Sequence, residues 1–126
     1  MRKVIVTGSR EFNVVTVIFD ALTEVDPQLV IHGGARGADS WAEDWAHRNE
    51  RDSHVFRPKW KSAYGTNKAA GPMRNQRMLE AYPGTLVLAF ITPTARGTWD
   101  CITRARLLGH EVIIRDESGA IREFKG

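Results

Sequence analysis

The stretch Leu29-Val30-Ile31-His32-Gly33-Gly34-Ala35-Arg36-Gly37-Ala38-Asp39 decides the fold. Leu29 to Ile31 is a continuous apolar run, as in a strand covered on both faces. Paired glycines end it. From about Ala38 to Arg51 the pattern turns helical, with Trp41, Ala42, Trp45 and Ala46 on one side. Strand, glycine turn and helix form the repeating unit of an open parallel sheet.

The same alternation extends in both directions. Upstream, Val4-Ile5-Val6-Thr7 is a β-branched run ending at Gly8, and Val14, Ile18, Ala21 and Val25 recur at helical spacing until Asp26-Pro27. Downstream, His54 to Arg57 reads as a third strand, and the polar segment Pro58 to Gly71 has little periodicity. Pro72 suits the first position of a helix that ends near Pro83-Gly84. Thr85 to Phe90 is the strongest strand, and Trp99, Ile102, Ala105 and Leu108 form a helical stripe closed by Gly109. Glu111 to Arg115 is a fifth strand. Ser118-Gly119 then marks a turn, which leaves Ala120 to Phe124 for a short extra C-terminal strand. The prediction is an α/β chain, one doubly wound domain over 1–126, with a mostly parallel five-stranded sheet in the order 3-2-1-4-5. The order follows from the fold class, since no countable pattern fixes it.

Composition narrows the function. With 126 residues, 42% hydrophobic and 26% charged, the chain can bury a core, which excludes disorder, collagen-like structure and a coiled coil. No apolar run approaches the roughly 20 residues of a membrane span. Met1-Arg2-Lys3 leads straight into a strand-like run without a signal-peptide pattern, and the single Cys101 cannot make an internal disulfide or a Cys-rich zinc site. Together these predict a cytoplasmic chain with a free thiol. The four histidines lack metal-ligand spacing, so neither a metal nor a cofactor is expected. The net charge of +3 is small, but Arg57, Lys59, Lys61, Lys68, Arg74 and Arg77 lie in a stretch from Ser53 to Leu79 that has no acid. One region is therefore locally positive.

Ligands of doubly wound sheets sit beyond the C-terminal strand ends, at the switch point of the winding. Three strand ends carry suitable loops: Gly8-Ser9-Arg10, Gly33-Gly34-Ala35-Arg36-Gly37-Ala38-Asp39, and Thr92 to Arg96 leading to Gly97-Thr98. Glycine admits close approach of the backbone, a helix start offers free N–H groups, and arginine grips phosphate or carboxylate. Three such loops on one edge point to a phosphorylated ligand. The spacing matches neither GxGxxG nor the P-loop, and a purely steric reading, tight-turn glycines beside solvated arginines, stands next to it. Trp60 and Tyr64 among the lysines suit base stacking or a fold back onto the core. Trp41 and Trp45 read as core, His32 as a satisfied strand-end histidine, and Cys101 as a partly buried inert thiol.

Gly8-Ser9-Arg10, His32-Gly33-Gly34-Ala35-Arg36-Gly37-Ala38-Asp39, Ala70-Gly71-Pro72-Met73-Arg74-Asn75, Ala89-Phe90 and Gly97-Thr98 together resemble the YspA-type (YspA/YpsA-type) branch of the SLOG superfamily, from about Lys3 to Ile114. The resemblance implies a Rossmann-like fold, a nucleotide-derived ligand, a bacterial or phage source and association into dimers or larger homo-oligomers, for which four tryptophans offer apolar surface. Related members include cytokinin-activating phosphoribohydrolases and a DNA-processing protein of natural transformation. The hydrolases carry GGGxxGxMG, a catalytic arginine in an Arg-Lys pair, and PGGxGTxxE. By that comparison Gly33, Gly34 and Gly37 resemble the first loop, and Arg74 stands at the catalytic arginine with Asn75 in place of lysine. Gly97-Thr98 match GT. Cys101 occupies the glutamate position, and Asp100 comes one residue early.

The leading expectation is a binder of a nucleotide or nucleotide-derived small molecule, such as a nucleoside monophosphate or ADP-ribose. Gly33, Gly34, Gly37 and Thr98 would hold phosphates, with Gly8, Ser9 and Gly97 also at the ligand; Arg10, Arg36 and Arg74 would neutralise the phosphates, and Asn75 would bond ribose or phosphate. Asp39 would accept from a ribose hydroxyl or cap the following helix. The second expectation is a nucleoside-5′-monophosphate N-glycosidase, with Arg74 orienting phosphate and Asp100 stabilising the sugar cation. The third is single-stranded nucleic-acid binding through the basic stretch.

Overall fold

The computed structural model describes residues 1–62, 65–66 and 68–122. Its elements in chain order are β1 (Lys3–Gly8), α1 (Val15–Val25), β2 (Leu29–His32), α2 (Ala38–Arg48), β3 (Asp52–Val55), β4 (Lys61–Ser62), β5 (Gly65–Thr66), α3 (Ala70–Ala81), β6 (Leu86–Phe90), α4 (Arg96–Leu107), β7 (Val112–Arg115) and β8 (Ile121–Arg122). The main sheet runs β3-β2-β1-β6-β7-β8. Its first five strands are parallel, and β8 pairs antiparallel with β7. The predicted order is thus observed, with the extra C-terminal strand described at Ile121–Arg122, while positions 123 and 124 of the expected strand lie outside the described residues. The winding reverses between β1 and β6.

Alternation along each strand sorts side chains to two faces. Val4 and Val6 of β1, Val30 of β2, and Leu88 and Phe90 of β6 pack with α1 and α2 around Phe12, Ile18, Leu22, Ala42 and Trp45. Ile5, Ile31 and Val87 pack on the other face with Met78 and Leu79 of α3 and Cys101 and Ala105 of α4. A smaller cluster of Ala89, Ile102 and Ile114 continues that face toward β7. Covering both faces explains why the strands read as unbroken apolar runs.

Three boundaries differ from expectation. The third strand is two residues earlier than His54 to Arg57, because β2 pairs Leu29 with Asp52 and His32 with Val55. As an edge strand it exposes Asp52, Ser53 and His54 to water, so no apolar run marks it. Pro72 is the third residue of α3, not the first. Any position in the first turn suits it, because those N–H groups have no intrahelical acceptor. The polar segment from Pro58 contains the two-residue pairing β4–β5.

Helix ends follow their sequences. Gly109, at φ +84°, closes α4 while His110 N–H bonds the Ala105 carbonyl and Gly109 N–H bonds that of Arg106. The same two-bond closure ends α2, from Arg51 N–H to Ala46 and Glu50 N–H to His47, but there the left-handed residue is Glu50, at φ +54°. Three tryptophans join the core: Trp45 is buried with its indole N–H on Thr23 Oγ1, and Trp41 and Trp99 are half-buried against the clusters. Trp60 is the exposed one, so the expected apolar surface for association does not come from four tryptophans.

Candidate functional site

A cavity of about 480 Å³ opens at the C-terminal end of β1, at the switch point. Its walls are Thr7 to Glu11 after β1, Gly33, Ala35 and Asp39 after β2, the α3 residues Gly71, Pro72, Arg74, Asn75 and Met78, and Thr94 to Thr98 with Asp100 at the start of α4. Trp60 closes one side. Of the residues predicted from sequence, Gly8, Ser9, Arg10, Gly33, Asp39, Arg74, Asn75, Gly97, Thr98 and Asp100 meet here. Gly34 and Arg36 do not. They line an adjoining depression of about 330 Å³ with Arg10, Arg57, Pro58, Trp60 and Arg74. Gly37 lines neither, and Tyr64 lies outside the described residues.

The glycine loop after β2 is held by the protein itself. Asp39, in the first turn of α2, accepts hydrogen bonds at Oδ2 from Gly33 N–H (3.1 Å) and Ala35 N–H (3.3 Å). His32 Nδ1 accepts from Gly34 N–H at 3.0 Å. A Cβ on Gly37 would lie 2.3 Å from the Ser9 carbonyl oxygen, and its φ is +73°. A Cβ on Gly33 would lie 2.3 Å from Arg74 Nη1, and one on Gly8 would lie 2.2 Å from Ala38 Cβ. These three glycines therefore let protein segments approach one another. The space at Gly37 is thus taken up by the chain itself, and Asp39, expected from sequence either to accept from a ribose hydroxyl or to cap the helix, braces its own loop. Ser9 is also engaged, its hydroxyl accepting from Glu11 N–H and bonding the Thr92 hydroxyl at 2.7 Å.

Gly97 is different. A Cβ there would meet nothing within 4 Å. It lies in the first turn of α4, which has no side-chain cap and no acidic residue, and the first turn of α3 has neither as well. Helix starts carry N–H groups without intrahelical acceptors and a partial positive charge. Two such starts meet one cavity.

Arg74 connects the walls. Its Nη1 donates to the Gly33 carbonyl (2.6 Å) and the Phe56 carbonyl (3.4 Å), and its Nε donates to Asn75 Oδ1 (2.9 Å). Asn75 Nδ2 donates to Asp100 Oδ2 at 3.0 Å, and Arg104 Nε contacts both Asp100 carboxylate oxygens. Asp100 thus reaches the cavity already paired by Arg104 and oriented by Asn75. Among the described residues, Arg10, Arg36, Arg57, Arg74 and Arg96 form no ion pair with a carboxylate.

Burial shifts three groups. It raises the Asp39 carboxyl above its ordinary value, against the opposing charges of His32 and Arg74 and the two backbone N–H bonds. Asp39 is 4% exposed, and its Oδ1 has no hydrogen-bond partner among the described residues. Burial also lowers Arg74, which Asp39 partly offsets. Cys101 sits beneath the cavity in the apolar cluster, and burial pushes its thiol up to about 12 although Thr7 hydrogen-bonds it. A neutral thiol there cannot replace a carboxylate. The sequence assigns neither Arg57 nor Arg96 to the ligand, and it offers Trp60 for base stacking or a fold back onto the core. The signal for Arg57 is its place in the acid-free stretch just past a strand's C-terminal end. Among the described residues, no group of three or more His, Cys, Asp or Glu is placed to hold a metal, and no helix is long and apolar enough to cross a membrane.

The sequence profile described as "YAcAr: YspA, cpYpsA-related SLOG family" matches residues 2–62. The Gene 61 protein of Mycobacterium phage D29 is 36% identical over 120 residues, covering 90% of this chain and 95% of that protein. The X-ray structure of DNA processing protein A (DprA) from Streptococcus pneumoniae superposes with a TM-score of 0.67 at 20% identity, over 90% of this chain and 50% of that one. The chain therefore spans half the length of that structural neighbour, and the likeness is one of fold.

Proposed function

The chain belongs to the YspA, cpYpsA-related SLOG family, and we propose that its switch-point cavity binds a nucleotide or a nucleotide-derived small molecule. The observation that carries this reading is the convergence of two helix starts, those of α3 and α4, that have no side-chain cap among the described residues, on one cavity that also holds Arg10, Arg74 and Arg96. The three arginines face the acids Glu11, Asp39 and Asp100, but Asp100 is paired with Arg104 and Asp39 is held toward its neutral form by burial. The balance at the helix starts is positive and suits a phosphate. The N–H groups of Gly97 and Thr98 would receive it, with Arg10 and Arg74 beside it. Asp39 Oδ1 would take a sugar hydroxyl, a group that both donates and accepts and so suits a carboxyl in either protonation state. Family membership and the fold shared with a DNA processing protein support a nucleotide- or nucleic-acid-related role in general.

The test is calorimetric titration with the four ribonucleoside 5′-monophosphates, NAD and ADP-ribose. Binding of at least one, weakened tenfold or more by Arg74→Ala in a folded variant, is expected, because a charge-assisted contact is worth about 1.5–3 kcal/mol. No binding by any member would remove the reading.

One observation favours a hydrolytic variant of this reading: Asp100 lines the cavity that Arg74 borders. A nucleoside-monophosphate N-glycosidase would release free base and ribose 5-phosphate, and Asp100→Asn would abolish the release. The pairing of Asp100 with Arg104 and Asn75 favours binding over hydrolysis, because two donors already hold that carboxylate and offset its charge. Chromatography of a nucleotide incubated with the protein separates the two outcomes.

A further inference from the structure

The adjoining depression has a composition unlike that of the main cavity. Arg10, Arg36, Arg57 and Arg74 line it, and no acid does. None of the four forms an ion pair with a carboxylate among the described residues. Arg36 and Arg57 are exposed, whereas Arg74 is half-buried and fixed by its bonds to the Gly33 and Phe56 carbonyls. Arg57 lies over the loop, its Nη1 3.0 Å from where a Gly34 Cβ would stand. Four like charges around one hollow repel each other, and the ordinary remedy, an interleaved carboxylate, is missing. An anionic ligand supplies what the side chains lack.

The two hollows share Arg10, Gly33, Ala35, Trp60 and Arg74, so they form one bent cleft. Trp60 stands at the junction, 41% exposed, with its ring edge 3.4 Å from where a Gly71 Cβ would stand. An exposed indole between two cationic hollows offers a stacking face to a planar base.

We propose that Arg36 and Arg57 form a second phosphate subsite, and that the ligand carries two separated phosphate groups, one at the helix starts and one on this arginine shelf, with its base on Trp60. This rests on the nucleotide reading of the main cavity and specifies its substrate class. The second phosphate can be a terminal monoester or the diester of a short strand, and the chemistry the shelf reads is the same in both.

The experiment measures affinity at fixed ionic strength for the four ribonucleoside 5′-monophosphates, the corresponding 3′,5′-bisphosphates, and 5′-phosphorylated dinucleotides of the same bases. The expected result is at least tenfold tighter binding of a bisphosphate or a dinucleotide than of its monophosphate. Arg36→Gln combined with Arg57→Gln should reduce that gain to twofold or less, and Trp60→Ala should weaken all members carrying a base. A gain for bisphosphates alone identifies a terminal monoester as the natural partner, and a larger gain for dinucleotides identifies a strand. Monophosphate binding without any gain from a second phosphate would overturn the shelf and leave the main cavity reading intact. A gain that survives the double substitution would also overturn it. Binding by no member would overturn both.

Discussion

The loop after β2 and the start of α4 both present glycine beside the same cavity, yet they are opposite in kind. In the first, Gly33 and Gly37 are filled around by the protein: Arg74 against one, the Ser9 and Arg10 carbonyls against the other, and Asp39 and His32 holding the backbone N–H groups between. In the second, Gly97 faces open space, and the first turn of its helix has neither a side-chain cap nor an acid. A glycine-rich motif therefore marks a place where something must come close, and only the surroundings say whether that thing is a ligand or the chain itself.

The largest expected contrast is between Gly37→Ala and Gly97→Ala. At Gly37 a methyl group meets two carbonyls in a left-handed conformation, so urea unfolding should show a loss of about 3 kcal/mol or more. At Gly97 stability should be unchanged or higher by about 0.5–1 kcal/mol, because alanine is the better helix former. Nucleotide affinity should nevertheless fall, since the methyl group enters the cavity wall. Equal stability losses at the two sites would abolish the distinction.

A subtler comparison couples Gly33 with Arg74. Gly33→Ala places a methyl group against the guanidinium and should cost about 1–3 kcal/mol. In an Arg74→Ala background the obstacle is gone, so the double-mutant cycle should show a coupling of about 1 kcal/mol or more. Additive losses would mean that Gly33 is constrained by its backbone instead.

Asp39 adds a dependence on pH. Its folded carboxyl binds a proton more tightly than the unfolded one, so its contribution to stability is fully present below the ordinary carboxylate value of 3.8. That contribution is lost as pH rises from there through the raised folded value. Asp39→Asn keeps an oxygen for the Gly33 and Ala35 N–H groups and removes the titration. Thermal unfolding of the wild type relative to this variant should therefore be most favourable near pH 4 and decline toward neutrality. A gap that widens toward neutrality would assign Asp39 a net ionic role. The smallest effect is at the far end of α2, where Glu50→Gly should relieve about 1 kcal/mol of left-handed strain, read as a rise in Tm.

The sheet was legible because its central strands are continuous apolar runs, and Val4-Ile5-Val6 and Leu86 to Phe90 could be nothing else. β3 was misplaced because an edge strand with exposed Asp52, Ser53 and His54 has no burial to record in its residue types. The pairing β4–β5 is two residues long and leaves no period to count. The site was legible as a set of loops, since switch-point geometry gathers strand ends whatever their sequence. Its internal division was not. That Arg36 belongs with Arg57 on a shelf, while Arg10 and Arg74 border both hollows, depends on how α3 lies across the sheet, and residues about twenty apart in sequence carry no local mark of that packing.

The lone thiol of Cys101 gives the molecule a built-in clock. It lies under the cavity floor, sealed among Ile5, Leu79 and Val87, with its ionisation pushed to about 12. An alkylating reagent needs the thiolate and needs access, so native protein should react only through the moments when α3 or α4 lifts from the sheet. The reaction rate then counts those openings directly. Any molecule that ties the starts of the two helices together would slow the count without ever touching sulfur.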